Sequence, residues 1–154
     1  MTNSQFRIGD SRVIESREGA DGLTIRRRRV SLDGKHRFTT YERVEKPNIA
    51  VIKKNGSREL YDRQKLHTAI NRSVGKFFMS EIDIENIVDA VENAIYALGD
   101  LEVPSRTIGE LVLDELAERN DVAYVRFASV YHEFKTLDEF ESILASRRKT
   151  KKTV

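Results

Sequence analysis

The sequence predicts an α+β fold, in which a small N-terminal domain of β-hairpins precedes a helical bundle capped by another β-hairpin. Two observations predict it: short strand-like segments separated by glycines fill residues 1–47, and apolar residues recur at helical spacing from residue 62 onward. A chain of 154 residues is long enough for two small domains. Pro47-Asn48 marks their junction, so we divide the chain into 1–47, 48–141 and a basic C-terminal tail, 142–154.

The N-terminal domain is predicted to contain three short strands, at residues 11–16, 23–30 and 37–44. Asp33-Gly34 separates the last two, and this pair is a strong signal for a hairpin turn. Fewer than about 50 residues rarely bury a self-sufficient core. We therefore expect this domain to depend on additional support.

The rest of the chain is predicted to form one hairpin and five helices. The hairpin joins residues 49–53 to residues 58–61 around Asn55-Gly56, a pair that favours a tight turn. Helix starts are expected at Asp62, Ser80, Pro104-Ser105, Asn120 or Asp121, and Leu137, with Gly99 closing the second helix and Leu144 ending the fifth. The apolar positions at helical spacing are Leu66, Ala69, Ile70, Val74, Ile84, Ile87, Val88, Val91, Ile95, Ile108, Leu111, Val112, Leu116, Val122, Val125, Ala128 and Phe134.

Composition excludes several classes of protein. The chain has no cysteine, which excludes disulfides and thiolate metal sites, and its three histidines are scattered. The sequence shows no apolar run of membrane-spanning length, and MTNSQFRIGD lacks the apolar core of a signal peptide, so we expect a cytoplasmic protein without a membrane partner. No nucleophile–base–acid arrangement is visible in the sequence, so we do not expect an enzyme.

Charge is segregated along the chain. Residues 1–54 carry a net charge of +6, residues 55–141 a net charge of −9, and residues 142–154 a net charge of +5. This asymmetry suggests that a module facing a polyanion is joined to an acidic module. The last segment is best interpreted as a solvated basic tail.

The stretch VIKKNGSRELYDRQKL, which begins at Val51, contains lysines that a hairpin and a helix start can bring together. If the chain folds back, Lys53 and Lys65 approach one anion, and Glu59 can accept hydrogen bonds from a sugar. With Val51 and Ile70 as an apolar wall, this set suits the phosphates, sugar and base of a nucleotide. The alternative is an exposed hairpin whose lysines are only solvated.

The same stretch resembles the signature of the ATP cone, an allosteric domain known from ribonucleotide reductases. The stretches EVPSRTIGELV (102–112) and VAYVRFASVYHEF (122–134) resemble the remainder of the cone in the family of NrdR-type repressors of ribonucleotide reductase genes. DSRVIESREGADGLTIRRRR (10–29) and RFTTYE (37–42) match the N-terminal domain of that family in order and spacing. The resemblance covers about residues 8–141 and rests on several independent motifs.

This resemblance implies that ATP and dATP are effectors, bound with Mg²⁺. It implies that Lys53, Lys54 and Lys65 contact the phosphates. Val51 would line the adenine site, and Glu59 would lie near the sugar. Tyr124 and Tyr131 are further candidates for the pocket. A hydrogen bond to the one differing hydroxyl can distinguish the two nucleotides. They regulate the protein if they stabilise different quaternary arrangements, which implies a homo-oligomer formed through cone–cone contacts.

The N-terminal domain departs from the family in one respect. Members carry a zinc ribbon with two cysteine pairs, and alignment on the flanking motifs places Asn3, Phe6, Ser31 and Gly34 at those four positions. These residues are not a credible set of zinc ligands, so we expect a degenerate ribbon without zinc. Phe6 is predicted to form an apolar plug with Ile8, Leu32 and Phe38, and the Asp33-Gly34 turn to close the hairpin.

Four consecutive arginines repel one another unless an anion neutralises them. On a strand, Arg26 and Arg28 face one side while Arg27 and Arg29 face the other. With further cations of the same domain they suggest a face that binds double-stranded operator DNA, mostly through phosphates; these further residues are Arg12, Arg17, Lys35 and Arg37. Composition alone equally allows the arginines to pair with the acidic second domain, and the resemblance favours DNA.

The sequence therefore predicts a nucleotide-sensing transcriptional repressor of ribonucleotide reductase genes whose cone sets the oligomeric state. One alternative is a cone-containing regulator that has lost DNA binding together with its cysteines and acts through protein–protein contacts. An ATP-hydrolysing enzyme is disfavoured because no acidic metal-binding motif accompanies the lysines.

Overall fold

The computed structural model of this protein describes residues 6–78 and 80–152, with the side chains of residues 76–78 and 151–152 left aside. The chain forms two compact units, Met1–Pro47 and Asn48–Val154, which divide at the predicted junction. The predicted α+β class is confirmed. None of the helices in the described part of the chain combines the length and apolarity needed to cross a membrane.

The first unit is an antiparallel sheet of three strands, in the order β1-β2-β3. Strand β1 spans Ser11–Glu18, β2 spans Thr24–Ser31 and β3 spans Arg37–Arg43, within two residues of the predicted bounds. The register of β1 against β2 shifts between Val13 and Glu15, where a β-bulge inserts one extra residue. Among the described residues of this unit, the buried ones are Thr24, Val30 and Ser31, so the sheet has almost no apolar core of its own.

The second unit begins with a small mixed sheet. Strand β4 (Ala50–Ile52) pairs antiparallel with β5 (Arg58–Leu60) and parallel with β6 (Glu102–Pro104). The hairpin between β4 and β5 was predicted, but β6 was not. A three-residue strand offers no alternation to detect, and its last residue, Pro104, is a helix-start signal.

Five helices complete the second unit: α1 (Arg63–Phe78), α2 (Glu81–Ala97), α3 (Ser105–Arg119), α4 (Asp121–Tyr131) and α5 (Leu137–Lys152). The predicted N-caps are confirmed, because side-chain oxygens of Asp62, Ser80 and Asn120 accept hydrogen bonds from backbone N–H groups of the first turns. Gly75 breaks α1 with a φ of +61°, and Gly99 follows α2 with a φ of +74°.

The predicted apolar faces of α1, α2 and α3 meet in one core, with Ile70, Val74, Val88, Val91 and Leu116 fully buried. Two predictions for α4 were wrong. Val122 is 51% exposed, and Phe134 lies beyond the helix, which ends where Glu133 adopts a φ of +55°. Ala123, Phe127 and Ala128 are the buried residues of α4.

The predicted end of the fifth helix was also wrong. The fifth helix continues to Lys152 instead of ending at Leu144. Arg147 fixes this extension: its guanidinium donates to the Asp121 carboxylate at 2.9 Å and to the Ala117 carbonyl at 2.9 Å, and it lies over the Tyr124 ring. A composition-based argument treats all five cations as solvated and cannot identify Arg147 as a residue that anchors the helix.

Candidate functional site

The lysines predicted to converge do converge in the second unit. The Lys53 ammonium lies 3.1 Å from a carboxylate oxygen of Glu59, and the Lys65 ammonium lies 2.9 Å from the same oxygen. The exposed fraction of the side chain is 47% for Lys53, 31% for Glu59 and 63% for Lys65, so all three are accessible to a ligand. The arrangement places two cations on one anionic oxygen at the surface.

Local structure brings these three residues together. Lys53 begins the turn after β4, where its N–H donates to the Ser57 carbonyl, and Gly56 supplies the positive φ that the turn requires. Glu59 lies on β5, and Lys65 lies in the first turn of α1, which Asp62 caps. Each position follows from a short-range signal in one stretch of sequence.

Ion pairing in the cluster shifts the pKa values of Glu59 and Lys65 in opposite directions. Hydrogen bonds from Lys65 and then Lys53 lower the pKa of Glu59, and the bond to Glu59 raises the pKa of Lys65. Lys65 is therefore held as a cation at neutral pH, and Glu59 is the anion that both ammonium groups contact. A phosphate that displaces this carboxylate finds two donors already close together.

A second ion-pair cluster holds the start of α1 in place. The Arg63 guanidinium contacts the carboxylates of Glu85, Asp89 and Glu92 on α2, and the Tyr61 hydroxyl donates to Glu92. Burial disfavours the charged guanidinium, but these partners outweigh it and raise the pKa of Arg63. This cluster fixes the helix turn that carries Lys65.

An open groove of about 280 Å³ runs along α1 beside the lysine cluster. It is lined by Asp62, Gln64, Lys65, Thr68, Ala69 and Arg72. Lys65 and Arg72 are seven residues apart and so lie on one helix face. Sequence reasoning missed Arg72, although a cation two turns after a candidate phosphate ligand was a detectable signal.

The other residues assigned to the nucleotide pocket are placed differently. Val51 is buried in the centre of the small sheet, and Lys54 is exposed in the turn. Ile70 has no exposed surface and belongs to the core, so in this structure it supports the site from behind without lining it. The contacts of Tyr124 and Tyr131 described here are with α3, α4 and α5: the Arg147 guanidinium covers Tyr124, and the Tyr131 hydroxyl donates to the Arg106 carbonyl.

Tyr131 packs on a glycine of α3, and this contact supports a stability prediction. A Cβ at Gly109 would lie within 2.8 Å of three atoms of the Tyr131 ring, which Phe127 stacks against. Gly109→Ala is therefore expected to lower the free energy of unfolding by about 1–3 kcal/mol, although alanine is intrinsically the better helix former. Denaturant unfolding measures it.

The control is a double-mutant cycle with Tyr131→Leu, which removes the ring that causes the overlap. If the steric overlap is the cause, Gly109→Ala costs much less in the Tyr131→Leu background. A Gly109→Ala variant as stable as the unsubstituted protein would contradict the packing described here.

The largest groove described lies elsewhere. It measures about 370 Å³ between α4 and α5 and is mainly apolar, with Val122, Val125 and Leu144 in its wall and arginines on its rim. Its charged lining residues are Asp121, Arg126, Arg147 and Arg148, and the Asp121 carboxylate pairs with an arginine and not with two lysines. The paired lysines therefore distinguish the lysine cluster from this larger groove.

The first unit presents a face of arginines. Residues directly opposite one another in a sheet point to the same side. Four residues of β2 share one side, and the registers pair Arg26 with Arg17 and Tyr41, and Arg28 with Glu15 and Thr39. On the same side, Val30 pairs with Arg12 and Arg37, and Thr24 pairs with Arg43. We call this side the arginine face; its six arginines are Arg12, Arg17, Arg26, Arg28, Arg37 and Arg43. The register also places the Glu15 carboxylate on this face, where it pairs with Arg17 at 2.6 Å.

The bulge in β1 creates this concentration of charge. Arg12 and Arg17 are an odd number of residues apart and would face opposite sides of a regular strand. The extra residue between Val13 and Glu15 reverses the alternation, so both arginines end on the arginine face.

Arg27 and Arg29 lie on the opposite side, as the alternation predicts, and their partners are within the sheet. Arg27 pairs with the Glu42 carboxylate at 3.0 Å. Arg29 donates to the hydroxyls of Thr40 and Ser11. The four consecutive arginines are thus divided: two belong to the arginine face and two connect strands. Lys35 is exposed in the turn before β3.

The arginine face also has unused hydrogen-bonding capacity. The Nε group of Arg26 is shielded from solvent and has no acceptor among the described residues, and the same holds for the Nε group of Arg27 on the opposite side of the sheet. A buried donor without an acceptor is costly, and an external anion that accepts its hydrogen bond removes the cost.

The four family cysteine positions provide no ligand set for zinc. Phe6 and Gly34 have no ligand atom, and the Ser31 hydroxyl is occupied by Asp33 and by the His36 N–H. Asn3 lies outside the described residues. The predicted plug is partly wrong: Phe6 packs edge-to-face on Phe38, but Ile8 and Leu32 are 59% and 69% exposed.

Two known families match this chain. The family described as "Transcriptional repressor NrdR-like, N-terminal domain" matches residues 7–42, and the family described as "ATP cone domain" matches residues 49–137. The first match covers the arginine face except Arg43, and the second covers the lysine cluster and helices α1 to α4. Most of α5 lies beyond both matches.

Curated relatives named "Transcriptional repressor NrdR" are similar over most of the chain. The protein of Streptococcus sanguinis is 49% identical over 134 residues, which are 87% of this chain and 85% of the relative. The protein of Streptococcus gordonii is 50% identical over the same shares. The protein of Prochlorococcus marinus (strain MIT 9215) is 47% identical over 143 residues, 93% of this chain and 90% of the relative.

Proposed function

Because this chain belongs to the family of NrdR-type transcriptional repressors, we propose that it is a nucleotide-sensing repressor of ribonucleotide reductase genes and not an enzyme. The observation that carries this proposal is the arginine face, a one-sided array of six guanidinium groups on a sheet with almost no core. Such an array attracts polyanions, because phosphates that bind to it relieve the repulsion among the guanidinium groups. We place the protein in the cytoplasm, where operator DNA and nucleotides are both available.

The arginine face is proposed to bind the backbone of operator DNA. Guanidinium groups make bidentate contacts with phosphates and, in the major groove, with guanine. Arg26 and Arg28 are central because they lie on the middle strand, between the two edge strands that carry the other four arginines of the face. The edge residues Arg12, Arg17, Arg37 and Arg43 extend the contact to the neighbouring phosphates.

The lysine cluster is proposed to bind the phosphates of ATP and dATP, with Mg²⁺ as the counter-ion. Lys53 and Lys65 transfer their hydrogen bonds from Glu59 to the phosphates, and Arg72 extends the cationic groove along α1. The released Glu59 carboxylate accepts a hydrogen bond from the sugar. Since dATP lacks the 2′-hydroxyl, this bond distinguishes the two nucleotides.

The cone is proposed to set the oligomeric state. One small sheet makes few phosphate contacts, and two sheets joined in a symmetric assembly bind paired operator sites with a high effective concentration. A nucleotide that stabilises one assembly over another thereby controls whether the arginine faces can reach DNA together.

The decisive experiment is a fluorescence-polarisation titration with duplexes tiled across the ribonucleotide reductase promoters of the source genome, against a shuffled duplex of equal composition. We expect tighter binding to one promoter segment, a steep fall of log K with log[salt], and affinity that changes on addition of ATP or dATP. No binding to any duplex at low salt would contradict the proposal and favour a regulator that acts through protein contacts.

Glu59→Gln tests how the site distinguishes its ligands. Glutamine keeps the shape of the side chain but removes its charge, so we expect triphosphate binding to persist. The preference between the two nucleotides, measured as the ratio of the ATP and dATP dissociation constants, should become weaker by about fivefold or more. Calorimetry with each nucleotide measures the ratio.

The matched control is Glu102→Gln, which removes a carboxylate that pairs with Arg58 at 2.9 Å on the same small sheet. It should leave the ratio unchanged. A Glu59→Gln protein with an unaltered ratio would exclude Glu59 from sugar recognition.

A further inference from the structure

The second cysteine pair of the family falls on Ser31 and Gly34, and in this chain hydrogen bonds close the turn between these positions. The Ser31 hydroxyl donates to the Asp33 carboxylate and accepts from the His36 N–H at 3.0 Å. The same carboxylate accepts from the Lys35 N–H at 3.0 Å. Gly34 has a φ of +74°, and its N–H donates to the Ser31 carbonyl at 2.8 Å.

This turn, residues 31–36, is also joined to the segment that carries the first cysteine pair in the family. The Phe6 ring, at one of those positions, lies 5.6 Å from the Phe38 ring and 6.3 Å from the His36 ring, edge-to-face in both cases. The Leu32 N–H donates to the Asp10 carbonyl at 3.0 Å. A structural zinc ion joins two such segments through four ligands; here aromatic and backbone contacts join them.

We propose that the hydrogen-bonded turn at residues 31–36 and the Phe6 contact replace the zinc ion of the family, so that this N-terminal module folds without metal. Serine differs from cysteine by one atom, and at position 31 its hydroxyl is already engaged as donor and as acceptor, while a neutral hydroxyl is not among the usual ligands of structural zinc. Ser31 is only 8% exposed, so its hydroxyl is shielded from competing water, while its partner Asp33 lies at the surface.

The electrostatics of the turn agree with this role. The hydrogen bond from Ser31, followed by that from the Lys35 N–H, lowers the pKa of Asp33. A carboxylate whose pKa is lowered by folding stabilises the fold above its ordinary pKa, and the stabilisation is lost as the pH falls through the lowered value. The turn is therefore intact at neutral pH and weakens in acid. This inference concerns the scaffold and does not depend on which DNA or nucleotide the protein binds.

Zinc content alone cannot test the proposal. In the described part of the chain, one group of three side chains has the spacing to hold a metal ion, and it lies in the second unit: His67, Glu81 and Glu85, with ligand atoms within 4.8 Å of one another. All three are already engaged with each other, since the His67 ring lies 2.8 Å from Glu81 and 3.6 Å from Glu85. The test therefore uses a His67→Ala background.

The experiment compares the full-length His67→Ala protein after dialysis against a strong chelator and after dialysis against zinc chloride. Hydrogen exchange read by mass spectrometry reports β1, β2 and β3 separately, and elemental analysis reports bound zinc. We expect exchange in the three strands to agree within about twofold between the two samples and zinc to be substoichiometric. In this state Ser31→Ala and Asp33→Ala should each speed exchange of peptides at residues 31–38 by about fivefold or more.

Ser16→Ala, at an exposed serine of β1, is the matched control and should change nothing in that region. Loss of strand protection on chelation, or one equivalent of zinc in the His67→Ala protein, would overturn the proposal. So would exchange in the Ser31→Ala and Asp33→Ala proteins equal to that of Ser16→Ala, because the turn would then not be what holds the module.

Discussion

Replacing Lys53 and Lys65 together by alanine is expected to weaken the binding of ATP and dATP by about 100-fold or more while the protein stays folded. Each ammonium can donate a charge-assisted hydrogen bond to a phosphate, worth about 1.5–3 kcal/mol, and losing two such bonds accounts for this factor. The cost to folding is small because both side chains are exposed, and an exposed ion pair contributes about 1 kcal/mol or less.

Calorimetry at fixed Mg²⁺ measures the loss. The matched control is Arg106→Ala with Arg119→Ala, which also removes two cations from the second unit, each paired with a single carboxylate within its own helix. The control should bind both nucleotides like the unsubstituted protein. If both double variants bind alike, the lysine cluster is not the phosphate site, and the larger groove between α4 and α5 becomes the next candidate.

The same variant links the two units functionally. If nucleotides act by stabilising one assembly over another, a protein that cannot bind them keeps the oligomeric state of the free protein whatever the nucleotide concentration. Its size in solution, measured by light scattering, should therefore be insensitive to ATP and dATP. A nucleotide-dependent change in size would show that another site carries the response.

The lysine cluster could be predicted from the sequence because its signals are local. Lys53, Glu59 and Lys65 lie within thirteen residues of one another, and a turn pair and a helix cap in that stretch set their positions. The aligned apolar faces of the first three helices were predicted for a similar reason, since helical spacing is itself a local pattern.

The features that were missed depend on distant parts of the chain. Strand β6 forms because it pairs with the edge of β4, some fifty residues earlier in the sequence. The three residues Glu102 to Pro104 carry no signal of their own for a strand. The extension of α5 depends on Arg147 reaching Asp121 across the helix pair. The arginine face depends on a bulge in β1, because the single extra residue places Arg12 on the same side of the sheet as Arg17.

That division of the arginines leads to a second large expected effect. Arg26→Ala with Arg28→Ala should lower affinity for operator DNA by about 10–100-fold at physiological salt and reduce the slope of log K against log[salt] by about 1.8, the value for two lost phosphate contacts. Neither residue has a partner described here that the sheet needs, so its strand exchange should stay close to that of the unsubstituted protein.

The neighbouring pair provides the control. Arg27→Ala with Arg29→Ala removes the same number of charges from the same strand but breaks the contacts to Glu42, Thr40 and Ser11. This variant should destabilise the sheet, with faster exchange in β2 and β3, yet retain the salt slope at temperatures where it remains folded. Polarisation titrations at four salt concentrations, with exchange measured in parallel, separate the two effects. Should the Arg27 and Arg29 variant lose the slope while the Arg26 and Arg28 variant keeps it, DNA would lie on the side of the sheet opposite to the arginine face.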